Sequence, residues 1–206
     1  MTGSHMQADR RVRRTQQMIV EAFLFLCKEK EYKDIIIRDI TERANVNRST
    51  FYAHYVDKEE LLQKIVEEKL SVLSELSLSY TNTYRPDFDT PDPYFVALFE
   101  HLAAHETFYR VMLGKMPSSF YTSKMLEVIR DSFYSRSATI SRDQKLLIPL
   151  DILLDYISYS TQGIIEKWLS QNMIYSPHYM ALQLTRLSVL GVYTSMGLNG
   201  ENSGEK

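Results

Sequence analysis

A single cysteine, Cys27, is present. No internal disulfide can form, and a reducing compartment is expected. Cys27 lies in the apolar run AFLFLC, where a buried structural thiol is the expected role. No apolar run approaches the length that crosses a bilayer, and no charged-then-apolar export signal opens the chain. The expectation is a cytoplasmic protein with no membrane partner. Glycine and proline are scarce, 7 and 6 in 206 residues. No segment alternates apolar and polar residues with period two, so helix is the expected secondary structure. No Ser-His-Asp pattern, glycine-rich phosphate loop or carboxylate pair stands out. No catalytic residue, metal or cofactor is therefore assigned, and an enzyme is not expected. The net charge of −2 excludes a molecule that binds polyanions over its whole surface. What matters is where the cations lie.

What the sequence does hold is amphipathic helix. Within Met1 to Met6 (MTGSHM), GSHM looks like a cloning remnant, and residues 1–9 are expected to be this remnant and a disordered arm. Arg10, Arg11, Arg13 and Arg14 follow as a basic cluster, which fits either a solvated tail or an arm that meets phosphate. Met18, Ala22, Phe25 and Leu26 recur at helical spacing in a first helix over 15–30. A short second helix covers 37–44, with Ile37, Ile40 and Ala44 on one face. NVN breaks it: Asn45 can take the left-handed conformation of a helix end, and Asn47 can cap a third helix over 48–55. Asp57 with Glu60 three residues on reads as a capping box, flanked by Val56 and Leu61 as a hydrophobic staple. A long helix should then run to about 80. The turn-rich stretch 83–93 is the expected domain boundary. Helices are expected again over 93–114, 118–140, 148–172 and 176–197, the last with Ser176 as N-cap and Pro177 in its first turn. A disordered tail over 198–206 should follow.

Two short helices with a tight break between them, followed by a long capped helix, describe a helix-turn-helix. Its second helix would enter the major groove with Arg48, Ser49 and Thr50 at base edges or phosphates. Tyr52 and His54 are polar-tipped aromatics that can meet phosphate or a thymine methyl. Lys58, at a helix N-terminus, can hold a phosphate. Arg14, Arg38 and Asn47 complete the candidate DNA contacts. Phe51 and Tyr55, four apart, should pack inward.

The run IRDITERANVNRSTFYAHYVDKEELL resembles the DNA-binding domain of the TetR/AcrR family of bacterial regulators, with Ile40, Ala44, Val46, Arg48, Thr50, Phe51, Tyr52, His54, Lys58, Glu60 and Leu61 carrying the match. FYRVMLG and GIIEKWL resemble a low-GC Gram-positive subgroup. The resemblance implies an all-α chain. A three-helix DNA-binding domain would cover 10–62, its fourth helix continuing to about 80. An antiparallel helical regulatory and dimerisation domain would cover 84–197. It also implies a homodimer on a palindromic operator in double-stranded DNA, released by a small-molecule effector, with repression as the expected sign. Three departures stand out. The family usually has Gly where this chain has Asn45, Thr where it has Ile36, and Gly where it has Glu31. Losing the Thr removes a helix cap and a phosphate contact, so either DNA affinity is modest or more of it comes from the arginine arm.

In the second half, Phe99, Phe108, Tyr109, Met112, Tyr121, Met125, Tyr156 and Tyr159 fit either an ordinary helical core or the lining of a pocket for an apolar or aromatic effector. The helix over 148–172 is apolar on most sides and so should be covered on two. The candidate dimer face is Leu153, Ile157, Ser160, Gly163, Ile164 and Trp168, joined by Leu184, Leu187 and Gly191 of the last helix. His101 and His105 are four apart, as a metal site would need, but a third ligand at clear spacing is missing. Two rival readings remain: a coactivator or adaptor acting through protein contacts, and a small helical enzyme resting on the histidine pair alone.

Overall fold

The computed structural model describes residues 2–80, 87–114, 118–137 and 146–195. Every regular element among them is helical: α1 Thr2–Glu29, a 3-10 turn Tyr32–Asp34, α2 Ile37–Ala44, α3 Arg48–Tyr52, α4 Lys58–Ser79, α5 Pro93–Ala104, α6 Glu106–Gly114, α7 Ser118–Ser137, α8 Leu150–Ser170 and α9 Pro177–Ser195. The tail expected over 198–206 lies outside the described residues, as do parts of the expected boundary at 83–93 and of the helix over 118–140. The chain forms two compact units. The first takes the chain to Ser71 and Thr107–Ser123; the second takes Val72–Glu106 and Lys124 onward. The division falls inside α4 and α7 rather than at the turn-rich stretch. Helices α6 and early α7 thus belong with the N-terminal head, which reading along the chain does not reveal.

In the first unit α1 packs on α2. Its buried face is Ile19, Ala22, Phe23, Leu26 and Cys27: Ala22 and Leu26 are buried as expected, whereas Met18 and Phe25 are half-buried. Phe25 is half-buried because the Arg43 guanidinium covers it, 3.3 Å from the ring centroid. Ile40, Phe51, Tyr55, Leu61 and Ile65 close the core. Each fully buried apolar side chain of this size contributes about 1.5–3 kcal/mol. From the same unit, Phe108, Tyr109, Val111, Met112 and Tyr121 are buried, and Lys28 Nζ donates to Thr107 Oγ1 at 3.1 Å. The arm expected to be disordered is instead continuous with α1, which is helical from Thr2.

In the second unit α5 packs on α9. Asp92 caps α5 by accepting from Tyr94 N–H at 2.9 Å, and its own N–H donates to Thr185 Oγ1 of α9 at 2.8 Å. Ser176 caps α9 as expected, accepting from Tyr179 N–H at 3.2 Å. On α8, Leu154, Ser158, Thr161, Ile165 and Trp168 form the buried stripe. Trp168 meets Phe99 edge-on at 5.1 Å and donates from Nε1 to the Tyr175 carbonyl at 2.9 Å. That bond braces the connection to α9, where Asn172 and Met173 both take positive φ.

Candidate nucleic-acid interface

The turn between α2 and α3 is made by Asn45 at φ 52, ψ 47, the left-handed conformation the sequence predicted. Its N–H donates to the Glu42 carbonyl at 3.3 Å, and Val46 N–H donates to Thr41 at 3.0 Å, closing the end of α2. Asn tolerates this φ better than most residues with a Cβ. Asn47 occupies the N-cap of α3 in extended conformation, but its side chain makes no cap bond. Helix α3 ends at Tyr52, shorter than expected, and Ala53 to Tyr55 turn tightly back on Phe51. Phe51 and Tyr55 are buried as predicted.

The start of α4 follows the predicted cap in part. Asp57 accepts from Glu60 N–H at 2.7 Å, and the Glu60 carboxylate accepts from Val56 N–H at 2.5 Å. The staple is absent: Leu61 is buried but Val56 is 73% exposed. Val56 is held by its backbone, and its side chain is left in solvent.

At the start of α2, Ile36 offers no side-chain cap. Asp39 takes over part of that task, accepting from Ile36 N–H at 3.3 Å while pairing with Lys30 at 3.0 Å. The Lys30 ammonium, with the Ile36 N–H beside it, holds the Asp39 carboxyl below the usual carboxylate range.

Arg38, Thr41, Glu42, Asn45, Val46, Asn47 and Arg48 line an open cleft of about 660 Å³. Arg48, Ser49, Asn47 and Tyr52 are exposed, and Thr50 and His54 half-exposed. Among the described residues Arg48 makes no ion pair or hydrogen bond. Arg38 is engaged by Glu42 at 2.7 Å. Lys58, expected at a phosphate, turns inward: its ammonium donates to the carbonyls of Tyr32, Lys33 and Ile35 at 3.0, 3.4 and 2.9 Å. It also lies 4.5 Å from the Tyr32 ring centroid. Burial and the adjacent Glu59 carboxylate raise the Tyr32 hydroxyl above its ordinary range. Arg14 is exposed on α1. Sequence reasoning missed Glu42 and Asn45 as part of this cleft, although Glu42 at i+4 from Arg38 was a visible signal.

The remaining candidates are dispersed. Phe108, Tyr109, Met112 and Tyr121 are buried in the first unit, Phe99 and Met125 in the second. Tyr156 and Tyr159 are 58% and 65% exposed, on the outward face of α8. Of the candidate dimer residues, Ser160, Gly163, Leu187 and Gly191 are exposed, and Leu153, Ile157 and Ile164 half-buried. Trp168 and Leu184 are buried within the chain itself. Gly191 is non-helical at φ 71, ψ 175 and kinks α9, a conformation that favours glycine. A groove of about 380 Å³ runs along Ser160, Gly163, Ile164, Lys167, Trp168, Gln171, Tyr175 and Met180. His101 and His105 lie edge-on at 4.6 Å, and no metal-binding group of three or more side chains occurs among the described residues. No described helix is long and apolar enough to cross a membrane.

Residues 19–65 match the family model for bacterial regulatory proteins of the tetR family, and residues 89–189 match that for a transcriptional regulator C-terminal region of the same family. The chain belongs to the TetR family. Members of this family are DNA-binding transcriptional regulators. Two similar proteins are regulators by name. One is an uncharacterized HTH-type transcriptional regulator, YxbF, from Bacillus subtilis, 43% identical over 75 residues, which is 35% of this chain and 20% of that protein. The other is the dhaKLM operon transcriptional activator DhaS from Lactococcus lactis, 37% identical over 59 residues, 29% of this chain and 32% of that protein. The matched segments thus span a third or less of either relative. Among solved structures, a TetR transcriptional regulator from Streptococcus agalactiae superposes with a TM-score of 0.62 at 25% identity, covering 90% of this chain and 98% of the other.

Proposed function

We propose that this TetR-family chain acts in the cytoplasm as a homodimer that binds a palindromic operator in double-stranded DNA, represses transcription there, and is released by a small-molecule effector. The observation that carries the reading is Arg48. It opens α3, is exposed, has no partner among the described residues, and lines the same cleft as Arg38 and Asn47. A guanidinium so presented suits bidentate pairing with guanine. In this reading Ser49, Thr50 and Tyr52 meet base edges beside it. Arg14, Arg38, Asn47 and His54 meet the backbone. Lys58 holds the corner that aims α3 rather than touching DNA. The exposed face of α8 and the groove beside it, with Leu187 on α9, serve as the dimer surface. Tyr156 and Tyr159 go with that surface rather than with an effector site. The effector would be an apolar or aromatic small molecule taken by the second unit, and α4, which runs through both units, would carry its effect to the head.

Mobility-shift assays with DNA from upstream of the protein's own gene test this reading. A discrete complex that survives competitor DNA is expected. Binding no stronger than to competitor would favour the adaptor reading. The L. lactis relative is named an activator, so a reporter fused to that DNA decides the sign: repression predicts higher expression when the gene is deleted.

A further inference from the structure

The cleft at the head holds a carboxylate where a phosphate binder needs cations. Glu42 and Arg38 lie one turn apart on α2, both line the cleft, and Glu42 Oε1 lies 2.7 Å from Arg38 Nε. Their side chains are 63% and 72% exposed, so the pair adds little to folding stability. Its position gives it another consequence. A carboxylate offers a guanidinium the same planar pair of anionic oxygens that a backbone phosphate offers. Lys30 is likewise paired with Asp39 of the same helix, and Lys58 is turned to backbone carbonyls. Arg38 and Lys30 thus each have a carboxylate partner within α2, Lys58 is held on carbonyls, and Arg48 has no partner among the described residues.

We propose that Glu42 is an internal stand-in for phosphate: it holds Arg38 in free protein, must be displaced when DNA binds, and so lowers affinity for DNA of every sequence. The inference rests on the DNA-binding reading of the head. Displacing Glu42 leaves a bare carboxylate beside the duplex, which gathers a cation from solution. That uptake offsets the cation Arg38 releases from the DNA. Glu42 therefore trims sequence-independent affinity and leaves base readout, and with it the ratio of cognate to other DNA, untouched.

The test is a double-mutant cycle of Glu42→Gln and Arg38→Gln. Binding is measured against salt on a duplex selected by the wild-type protein from a randomised pool, and on the same duplex with its bases shuffled. Thermal melting confirms that each variant folds, with Glu42→Ala as the substitute if Glu42→Gln does not. Glu42→Gln should bind both duplexes several-fold tighter, with a log–log salt slope steeper by up to about 0.9. The gain should shrink in the Arg38→Gln background, to what repulsion between Glu42 and the phosphates alone supplies. An unchanged slope overturns the proposal. A gain of the same size without Arg38 overturns it too, since Glu42 would then act by plain repulsion. A gain on the selected duplex alone would make Glu42 a base reader instead. A wild-type protein that selects no duplex would overturn the DNA-binding reading before any variant is made.

Discussion

At the scale of the residue, two cations of the head that look equivalent in sequence have different tasks in the structure. Arg48 is exposed and unpaired among the described residues, so its loss should be felt in binding and not in folding. Arg48→Ala should cost about 1–3 kcal/mol on the cognate duplex and relax preference at one base pair, with an unchanged melting temperature. Fluorescence anisotropy on cognate and single-base variant duplexes, beside a thermal melt, checks both halves. Lys58 should show the reverse. Its ammonium satisfies three carbonyls of the turn over 32–35. Lys58→Met removes these bonds and should destabilise the protein by about 1 kcal/mol or more, read by urea unfolding. The sequence did not show this difference, because the carbonyls that hold Lys58 lie some 23 to 26 positions away. The local signals were legible: Asn45 at positive φ, Phe51 and Tyr55 inward, Asp57 and Ser176 as caps. Each of those depends on residues within a turn or two.

At the scale of the element, α2 keeps its start without a side-chain cap because Asp39 is held by Lys30 and by the Ile36 N–H. The folded carboxyl sits below its unfolded value, so its contribution is present above the unfolded pKa and lost as pH falls through the folded one. Thermal stability should therefore drop as pH falls from about 4, the ordinary Asp value, through the lower folded value, and Lys30→Met should shrink that drop. Melting curves across the range on both proteins decide it; equal acid sensitivity would remove Lys30 from the account. Helix α8 illustrates a limit of pattern reading. Its apolar excess was visible, but which face turns inward was not, since Tyr156 and Tyr159 are as apolar in sequence as Trp168. The structure leaves Gly163 on the outward face, and a Cβ added there would meet no atom within 4 Å. Gly163→Glu should thus leave the folded chain intact while placing a charge in the proposed dimer surface, at a cost of several kcal/mol if that surface is buried. Sedimentation equilibrium should find a folded monomer; a dimer of wild-type affinity would move the interface elsewhere.

At the scale of the whole molecule, the TetR identity follows from both halves of the chain, yet the division into units was hidden. Residues 107–123 join the N-terminal head through contacts with residues some 80 positions earlier, such as Lys28 with Thr107, and no local signal marks them. The central claim is that two such heads act together on DNA. One head reads half a site, too weakly to be selective among genomic competitors. Two heads related by a twofold axis require a site with the same symmetry. The most direct test is selection of the wild-type protein on a randomised duplex pool, followed by sequencing. The account predicts an inverted repeat with half-site centres about one helical turn, or a multiple of it, apart, and loss of one base preference in each half when Arg48→Ala is selected alongside. A single asymmetric site, or enrichment of no sequence at all, would contradict it.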